Sequence, residues 1–220
     1  MSKKIIAVVG ATGAQGGGLV RAIQRDAGEF VARAVVRDVT SDKAKALAAL
    51  GAELVAGDVD DVESLKRAFK GAYGTYCVTF YWAHMSPEKE NNQARNLALA
   101  SKHSGVQHII WSTLEDTREF IPLDDQRMPT LMGKYKVPHF DAKGEVNAYF
   151  NELGLPVTFS YASFYWDNFI YFGMGPKKDA SGALALTLPI GEKKMTGIVA
   201  EDIGKCALGV FKAGSTYIGK

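Results

Sequence analysis

The feature that most constrains the fold of this chain is a glycine-rich junction near its start, IIAVVGATGAQGGGLVRAI, residues 5–23. Five apolar residues lead into Gly10, Gly13 and Gly16, and an amphipathic helical pattern follows at once. A strand that ends on glycines and passes directly into a helix is typical of the first turn of an open α/β sheet. At such a turn the helix N-terminus faces a phosphate group. The junction therefore predicts both a fold class and an anion-binding site.

Short β-rich runs alternate with helical patterns through the first half of the chain. The strand runs are almost continuously apolar, as in parallel sheets that are covered on both faces. This pattern predicts an α/β fold with a doubly wound parallel Rossmann sheet. The predicted strands are 4–10, 31–36, 52–57, 74–79 and 108–112, and the predicted helices are 14–26, 42–50, 61–69 and 88–103.

The second half is less regular. The polar stretch 115–138 contains several proline and glycine breakers, and its length favours a loop that covers the site. An aromatic loop lies at 162–175. Beyond the polar stretch we predict helices at 139–153 and 200–212 and strands at 156–161, 183–189 and 215–220.

Composition excludes several partner classes. The 220 residues include 26 Lys and Arg against 24 Asp and Glu, a net charge of +2, and no run of five like charges occurs. We therefore expect no direct nucleic-acid partner and no membrane partner. Cys77 and Cys206 lie in apolar stretches without metal or disulfide spacing, and the histidines have no ligand spacing. We expect buried free thiols, no metal and a cytoplasmic location.

The glycines suit a dinucleotide. Gly10 allows a tight exit from the strand, Gly13 removes a Cβ that would keep phosphates away, and Gly16 lets the helix pack closely on the sheet. Thr12 and Gln15 can add side-chain hydrogen bonds. The spacing is one residue longer between the first two glycines than in the commoner motif, and a glycine-rich turn that only packs is the alternative.

The tip of the second strand selects between the two nicotinamide dinucleotides. An arginine there accommodates a ribose 2′-phosphate, whereas a carboxylate binds the 2′-hydroxyl. Arg37 stands about twenty residues beyond Gly16, and Lys43 can add charge. Asp38 is adjacent, but neighbouring strand residues point to opposite sides. We predict that Arg37 faces the cofactor and that the cofactor is NADP; a solvated strand-end arginine is the alternative.

Further candidates follow the third and fourth strands. Asp58 could accept a hydrogen bond from the adenine amino group, or it could cap the next helix. Thr79 and Phe80 close the fourth strand as a wall for the cofactor. Residues 1–155 form the predicted NADP-binding core, and residues 156–220 the remaining strands and helices with part of a smaller lobe.

The motifs GATGAQGG, VVRD, GDVDD, WSTLED and PHFDAKGEV together resemble the NmrA-like family, atypical relatives of the short-chain dehydrogenases, from residue 3 to the end. The resemblance implies an NADP-preferring Rossmann domain with residues 163–168 beside the nicotinamide. It also implies a continuation beyond Lys220, so we expect an incomplete C-terminal lobe. The expected cofactor-binding residues are Gly10, Thr12, Gly13, Ala14, Gln15, Gly16, Arg37, Asp58, Thr79, Phe80, Lys143, Ser163, Phe164 and Tyr165.

Catalysis depends on one helix face. Active relatives of the family use a tyrosine four residues before a lysine; here Lys143 is present, but His139 occupies the tyrosine position. Residues at this spacing share a face. His139 could donate a proton, with Ser112 or Thr113 orienting a carbonyl, or it could simply pack at the helix start. Lys143 is the stronger candidate, as a ribose ligand or else a surface lysine.

Two functions remain open from the sequence. The first is an NADP(H)-sensing regulator or binding module with a regulatory protein partner. The second is an NADPH-dependent reductase of a small carbonyl, quinone or enone, with Lys143 assisted by His139 or by a tyrosine from 161–171. The aromatic cluster at 164–172 could form a roof for an apolar or aromatic substrate, or a core seam. The missing tyrosine favours the regulator.

Overall fold

A six-stranded sheet forms the centre of the computed structural model, which describes residues 3–220. Its strands are β1 (Lys4–Val9), β2 (Phe30–Val36), β3 (Glu53–Ala56), β4 (Gly74–Cys77), β5 (His108–Thr113) and β6 (Val157–Tyr161). They pair in parallel in the order β3-β2-β1-β4-β5-β6. This doubly wound order confirms the predicted fold class.

Helices and short strands complete the described chain. The helices are α1 (Ala14–Arg25), α2 (Asp42–Ala49), α3 (Val62–Phe69), α4 (Pro87–Ser104), α5 (Pro138–Glu152), α6 (Asn168–Tyr171) and α7 (Ala200–Ala213), and 3₁₀ turns span Tyr81–Ala83, Thr117–Glu119 and Gly214–Tyr217. The two-residue strands are β7 (Phe164–Tyr165), β8 (Lys177–Lys178), β9 (Leu184–Ala185) and β10 (Gly197–Ile198). Within residues 3–220 no helix combines the length and apolarity needed to cross a membrane.

The core lies on both faces of the sheet. Alternate residues of β1 point to opposite sides: Ile6 and Val8 join a cluster with α1, α2 and α7, whereas Ala7 and Val9 join one with α3, α4 and α5. All six residues of β5 are buried. Apolar side chains on both faces explain why the strands read as continuous hydrophobic runs.

The helices α1 and α7 pack almost backbone to backbone. A Cβ on Gly18 would lie 2.6 Å from the carbonyl oxygen of Glu201, and one on Gly204 would lie 2.1 Å from the amide nitrogen of Leu19. An ion pair between Arg21 and Glu201 bridges the same two helices. Gly18 and Gly204 therefore serve helix packing, and they hold α7 against α1.

Three sequence predictions differ from the structure. Residues 215–220 were expected as a strand but include a 3₁₀ turn, because Gly214 and Gly219 have φ of +61° and +79°. Their backbone still follows the outer edge of β6, where the Phe159 N–H donates to the Lys220 carbonyl at 2.8 Å. The strand expected over 183–189 is reduced to β9. Cys206 is exposed on α7, whereas Cys77 is buried as expected and burial raises the pKa of its thiol to about 12.

Candidate functional site

The turn that follows β1 has a backbone that requires glycine at two positions. Gly10 has φ of +64°, and a Cβ at Gly16 would lie 2.5 Å from the Gly10 carbonyl oxygen. At Gly13 a Cβ would lie 3.2 Å from the same oxygen, a tight but less severe approach. Thr12, Gly13 and Ala14 are exposed. The turn therefore presents open backbone at the start of α1.

The N-terminus of α1 has no side-chain cap, in contrast to α2, α3 and α4, whose N-cap side chains accept a backbone N–H. Its N-cap residue is Gly13, and its first turn carries no acidic residue. Within residues 3–220, a side-chain oxygen accepts a backbone N–H at the start of each other helix of eight or more residues: Ser41 for α2, Asp61 for α3, Ser86 for α4, Asp141 for α5 and Asp167 for α7. The positive end of the α1 dipole is therefore left for an anion.

Gln15 connects this turn to the middle of the sheet. Its Oε1 accepts a hydrogen bond from the Ser112 hydroxyl at 2.8 Å and another from the Tyr76 hydroxyl. Its Nε2 donates to the Tyr165 hydroxyl. Burial raises the pKa of both phenols, so Tyr76 and Tyr165 remain neutral at ordinary pH. The Gln15 side chain thus connects the start of α1 to β4, β5 and β7.

Lys143 projects from α5 toward the same strand ends. Its Nζ donates to Thr79 Oγ1 at 2.8 Å and to the Ser112 carbonyl at 3.3 Å, and it lies 3.1 Å from Glu90 Oε1. The Lys143 side chain is 11% exposed. Burial lowers the pKa of the ammonium, and the Glu90 carboxylate opposes that shift. Lys143 is therefore not a surface lysine but a buried donor with fixed partners.

Two members of this cluster, Glu90 and His84, were missed by the sequence analysis. The Glu90 carboxylate is fully buried, and its Oε2 lies 3.4 Å from His84 Nε2. The sequence contains one signal for Glu90, its helical spacing from the apolar residues of α4. Glu90 lies on the same buried face as Ala94, Leu97 and Ser101. A carboxylate on that face needs a buried partner.

His139 lies one turn before Lys143 but takes part in a cluster of tilted aromatic rings. Its ring centroid is 4.7 Å from that of Trp82 and 5.8 Å from that of Tyr81. Burial lowers its pKa. Within the described residues its ring nitrogens form no hydrogen bond. The Thr113 hydroxyl, by contrast, donates a hydrogen bond to Asn147 Oδ1 at 2.8 Å. His139 therefore packs at the start of α5 in this structure, and the Thr113 hydroxyl is hydrogen-bonded to α5.

The ends of β2 and β3 carry Arg37, Asp38 and Asp58, the residues predicted to lie on the adenine side of the cofactor. Arg37 is exposed, whereas the Asp38 carboxylate accepts from the Thr40 hydroxyl at 2.6 Å and from the Thr40 N–H at 2.8 Å. These bonds, above all the one from the hydroxyl, lower the pKa of Asp38. Asp58 accepts from the Asp60 N–H at 2.9 Å, and Asp61 caps α3 instead. The capping alternative for Asp58 is therefore wrong.

The other predicted residues have mixed positions. Phe80 is 65% exposed, next to the buried Thr79. Ser163 is half-buried, and the Phe164 ring packs against Trp166 and Phe169. Of residues 163–165, only Tyr165 reaches Gln15.

The polar stretch is bound to α4 and α5, and its role as a loop that covers the site stays a prediction. Arg118 pairs with Glu145 on α5 at 2.8 Å, and Lys134 pairs with Glu88 on α4 at 3.2 Å. The buried carboxylate of Asp141 accepts from the backbone N–H of Lys136. These contacts attach the stretch to the start of α4 and to the first half of α5. Within residues 3–220 no cluster of three or more His, Cys, Asp and Glu side chains could hold a metal ion.

Comparison with known proteins gives a consistent result. The model of the NmrA-like family matches residues 2–220. The oxidoreductase ptmS of Penicillium ochrochloron, which carries an NmrA-like family domain, is 26% identical over 98% of this chain and 66% of its own length. NmrA, described as a negative transcriptional regulator and solved in complex with NADP, is 29% identical over 100% of this chain and 65% of its own, with a TM-score of 0.81.

Other solved structures extend this picture. NmrA has also been solved in complex with NAD, with the same TM-score of 0.81. A Citrobacter triphenylmethane reductase complexed with NADP(H) is 24% identical, with a TM-score of 0.73, over 96% of this chain and 65% of its own; that likeness concerns the fold. The chain spans about two thirds of the length of these relatives.

Proposed function

This chain belongs to the NmrA-like family, and from that premise we propose that it binds NADP(H) at the glycine turn and acts as a cofactor-sensing regulator or binding module. The observation that carries the proposal is the uncapped N-terminus of α1 beside the exposed backbone of Thr12 to Ala14. A diphosphate would satisfy the free N–H groups there and the positive end of the helix dipole. The NADP complex of NmrA supports the same assignment.

The proposed roles divide among three parts of the cleft. The glycine turn, with Thr12, Ala14 and Gln15, would hold the diphosphate. Arg37 would bind the 2′-phosphate and Asp58 the adenine amino group, while Thr79 and Phe80 would form the wall. Lys143 would bind the nicotinamide ribose, with Ser163, Phe164 and Tyr165 nearby. When bound, the reduced nicotinamide could donate a hydride and the oxidised form could accept one.

The regulator is favoured over an enzyme by the state of the expected proton donor. His139 packs against tilted aromatic rings without a hydrogen bond from the described residues, and Tyr76 and Tyr165 have raised pKa values that oppose proton donation. A sensor needs only different affinities of two conformations for the cofactor. The hydrogen bond from Gln15 to Tyr165 offers a connection from the cofactor turn to β7. The partner that would respond is a regulatory protein.

A reductase is the second candidate, and Lys143 is the observation that favours it. The ammonium is buried, hydrogen-bonded and placed at the end of β5. Relatives such as ptmS carry the name oxidoreductase. The substrate would be a small apolar or aromatic carbonyl, quinone or enone. NADPH consumption across a panel of such compounds, abolished in Lys143→Met, would establish this activity in place of sensing.

Binding titrations of NADP and NAD test the proposal. Arg37→Ala should weaken NADP binding by about 10-fold to 100-fold and leave NAD binding unchanged, because only NADP carries the phosphate. Arg127→Ala is the matched control, since that guanidinium is 78% exposed in the polar stretch. Equal affinity for both dinucleotides in the unmodified protein, or no effect of Arg37→Ala, would contradict the proposed role of Arg37.

The proposed compartment is the cytoplasm. Cys77 and Cys206 are both free thiols. Free thiols persist where glutathione and thioredoxin keep proteins reduced, which supports an intracellular location. Localisation of the tagged protein in its own cells tests this assignment.

A further inference from the structure

A buried carboxylate with half of its acceptor capacity unused lies under the proposed cleft. Glu90 Oε1 accepts from the Thr79 hydroxyl and lies 3.1 Å from Lys143 Nζ. Its Oε2 forms no hydrogen bond within the described residues, and neither does His84 Nε2, 3.4 Å away. His84 Nδ1 accepts from the Ser86 N–H, so a neutral His84 has its proton on Nε2. Such a carboxylate requires an explanation beyond its own hydrogen bonding.

The charged groups around Lys143 leave Glu90 as its counter-ion. From its own helix, the Asp141 carboxylate is bound by the Thr117 hydroxyl and the backbone N–H groups of Lys136 and Val137. His139 faces Trp82 and Tyr81. From β5 and the segment after β4, Lys143 meets the neutral groups of Ser112, the Trp111 ring and Thr79. Among residues 3–220, Glu90 is therefore the one carboxylate within 4 Å of the ammonium.

We propose that Glu90 is a positioning residue that keeps Lys143 charged and fixed at the floor of the cleft. Burial alone favours the neutral amine, and an adjacent carboxylate opposes that effect by stabilising the ammonium. Thr79 contributes by holding both partners, since its hydroxyl accepts from Lys143 and donates to Glu90. The inference rests on the proposed function only for its effect on NADP binding, because the state of Lys143 can be measured without a ligand.

The ring of Trp111 supplies a reporter in the free protein. Lys143 Nζ lies 4.8 Å from its centroid, and the chain has only two other tryptophans. In a Trp82→Phe/Trp166→Phe background, Trp111 emission is followed from about pH 7 to about pH 11, a range that includes the ordinary pKa of lysine. The same titration with Lys143→Met defines the part of the signal that depends on the lysine.

Glu90→Gln should lower the midpoint of that lysine-dependent step by about one pH unit or more. Glu88→Gln is the matched control, because Glu88 lies two residues earlier on α4 but is 62% exposed. Its midpoint should not change. If Glu90→Gln does not fold, Glu90→Asp should give a smaller shift in the same direction, since its carboxylate is one methylene shorter. An unchanged midpoint in the folded Glu90 variant overturns the proposal.

Calorimetric titration with NADP measures the consequence for the cofactor. Loss of the positive charge on Lys143 should weaken NADP binding at alkaline pH. Glu90→Gln should shift this alkaline decrease in affinity to lower pH, by the same amount as it shifts the Trp111 midpoint. If the affinity of Glu90→Gln for NADP decreases at the same pH as that of the unmodified protein, the result argues against the proposal. If the unmodified protein does not bind NADP, the proposed function fails, while the Trp111 titration still decides the role of Glu90.

Discussion

At the scale of single residues, the main contrast is between side chains that form the cleft and side chains that only fill space near it. Lys143 and His139 lie one turn apart on α5, yet Lys143 is bound by polar partners and His139 by aromatic rings. Sequence spacing gives both the same helix face. The elements opposite that face determine their different environments, with Glu90 on α4 for one and the Tyr81–Ala83 turn for the other.

The first prediction concerns the Glu90–Lys143 pair and stability. Glu90→Gln should reduce the free energy of unfolding by about 3 kcal/mol, because it leaves a buried ammonium without its counter-ion. Glu88→Gln should cost less than about 1 kcal/mol, as expected for an exposed pair. Urea denaturation at neutral pH measures both values.

The matching double-variant cycle isolates the pair. The Glu90→Gln/Lys143→Met protein should lose less stability than the sum of the two single variants, by about 1–3 kcal/mol. Additive losses would mean that the two side chains do not depend on each other.

At the scale of secondary-structure elements, the interface of α1 and α7 was not foreseen. The sequence analysis assigned Gly10, Gly13 and Gly16 to the turn and left Gly18 without a role. That role depends on Gly204, which is 186 residues away and contacts it through the tertiary fold. Local patterns predict where helices begin, but they do not show which two helices approach to backbone distance.

Substitutions in α7 test this interface. Gly204→Ala should destabilise the protein by about 1–3 kcal/mol, because its Cβ would lie 2.1 Å from the Leu19 amide. Gly209→Ala in the same helix should stabilise it by about 0.5–1 kcal/mol, since its Cβ would meet nothing within 4 Å. Thermal and urea unfolding of both variants give the comparison. Equal effects at the two glycines would show that α1 does not restrict position 204.

Most of the regular structure was predictable from sequence for a physical reason. β1 and the first two helix starts follow from apolar runs and glycine or serine signals that act within a few residues. The strand predicted over 183–189 was too long. An apolar run favours a strand, but among the described residues only the two residues of β9 pair with a neighbouring strand, β8. Glu90 was missed because its sequence neighbourhood resembles a charged helix start, and only the fold brings Lys143 to it.

At the scale of the whole molecule, Gln15 joins the two parts of the chain that the sequence analysis separated at residue 155. Its amide contacts Ser112 in one part and Tyr165 in the other. A ligand at the glycine turn should therefore stabilise β7 as well as the turn. In the proposed regulator, this stabilisation of β7 is how binding at the turn would be sensed elsewhere. A bound ligand slows only those local unfolding events that would disrupt its binding site.

Hydrogen exchange provides the measurement. Saturating NADP should slow amide exchange at 10–17 and at 164–166, and leave the exposed segment 177–186 unchanged. Gln15→Ala should retain the effect at the turn and lose it at 164–166. Protection of 164–166 that does not respond to NADP in the unmodified protein would contradict a connection through Gln15.

The two cysteines differ in a way that makes the protein easy to tag. Cys77 is sealed inside the sheet, whereas Cys206 faces solvent on α7. A colorimetric disulfide reagent should therefore consume one thiol per native molecule and two after denaturation, and two consumed in the native state would mean that the sheet opens. A maleimide fluorophore would attach at one defined point without any engineering, which gives direct access to anisotropy assays for a macromolecular partner.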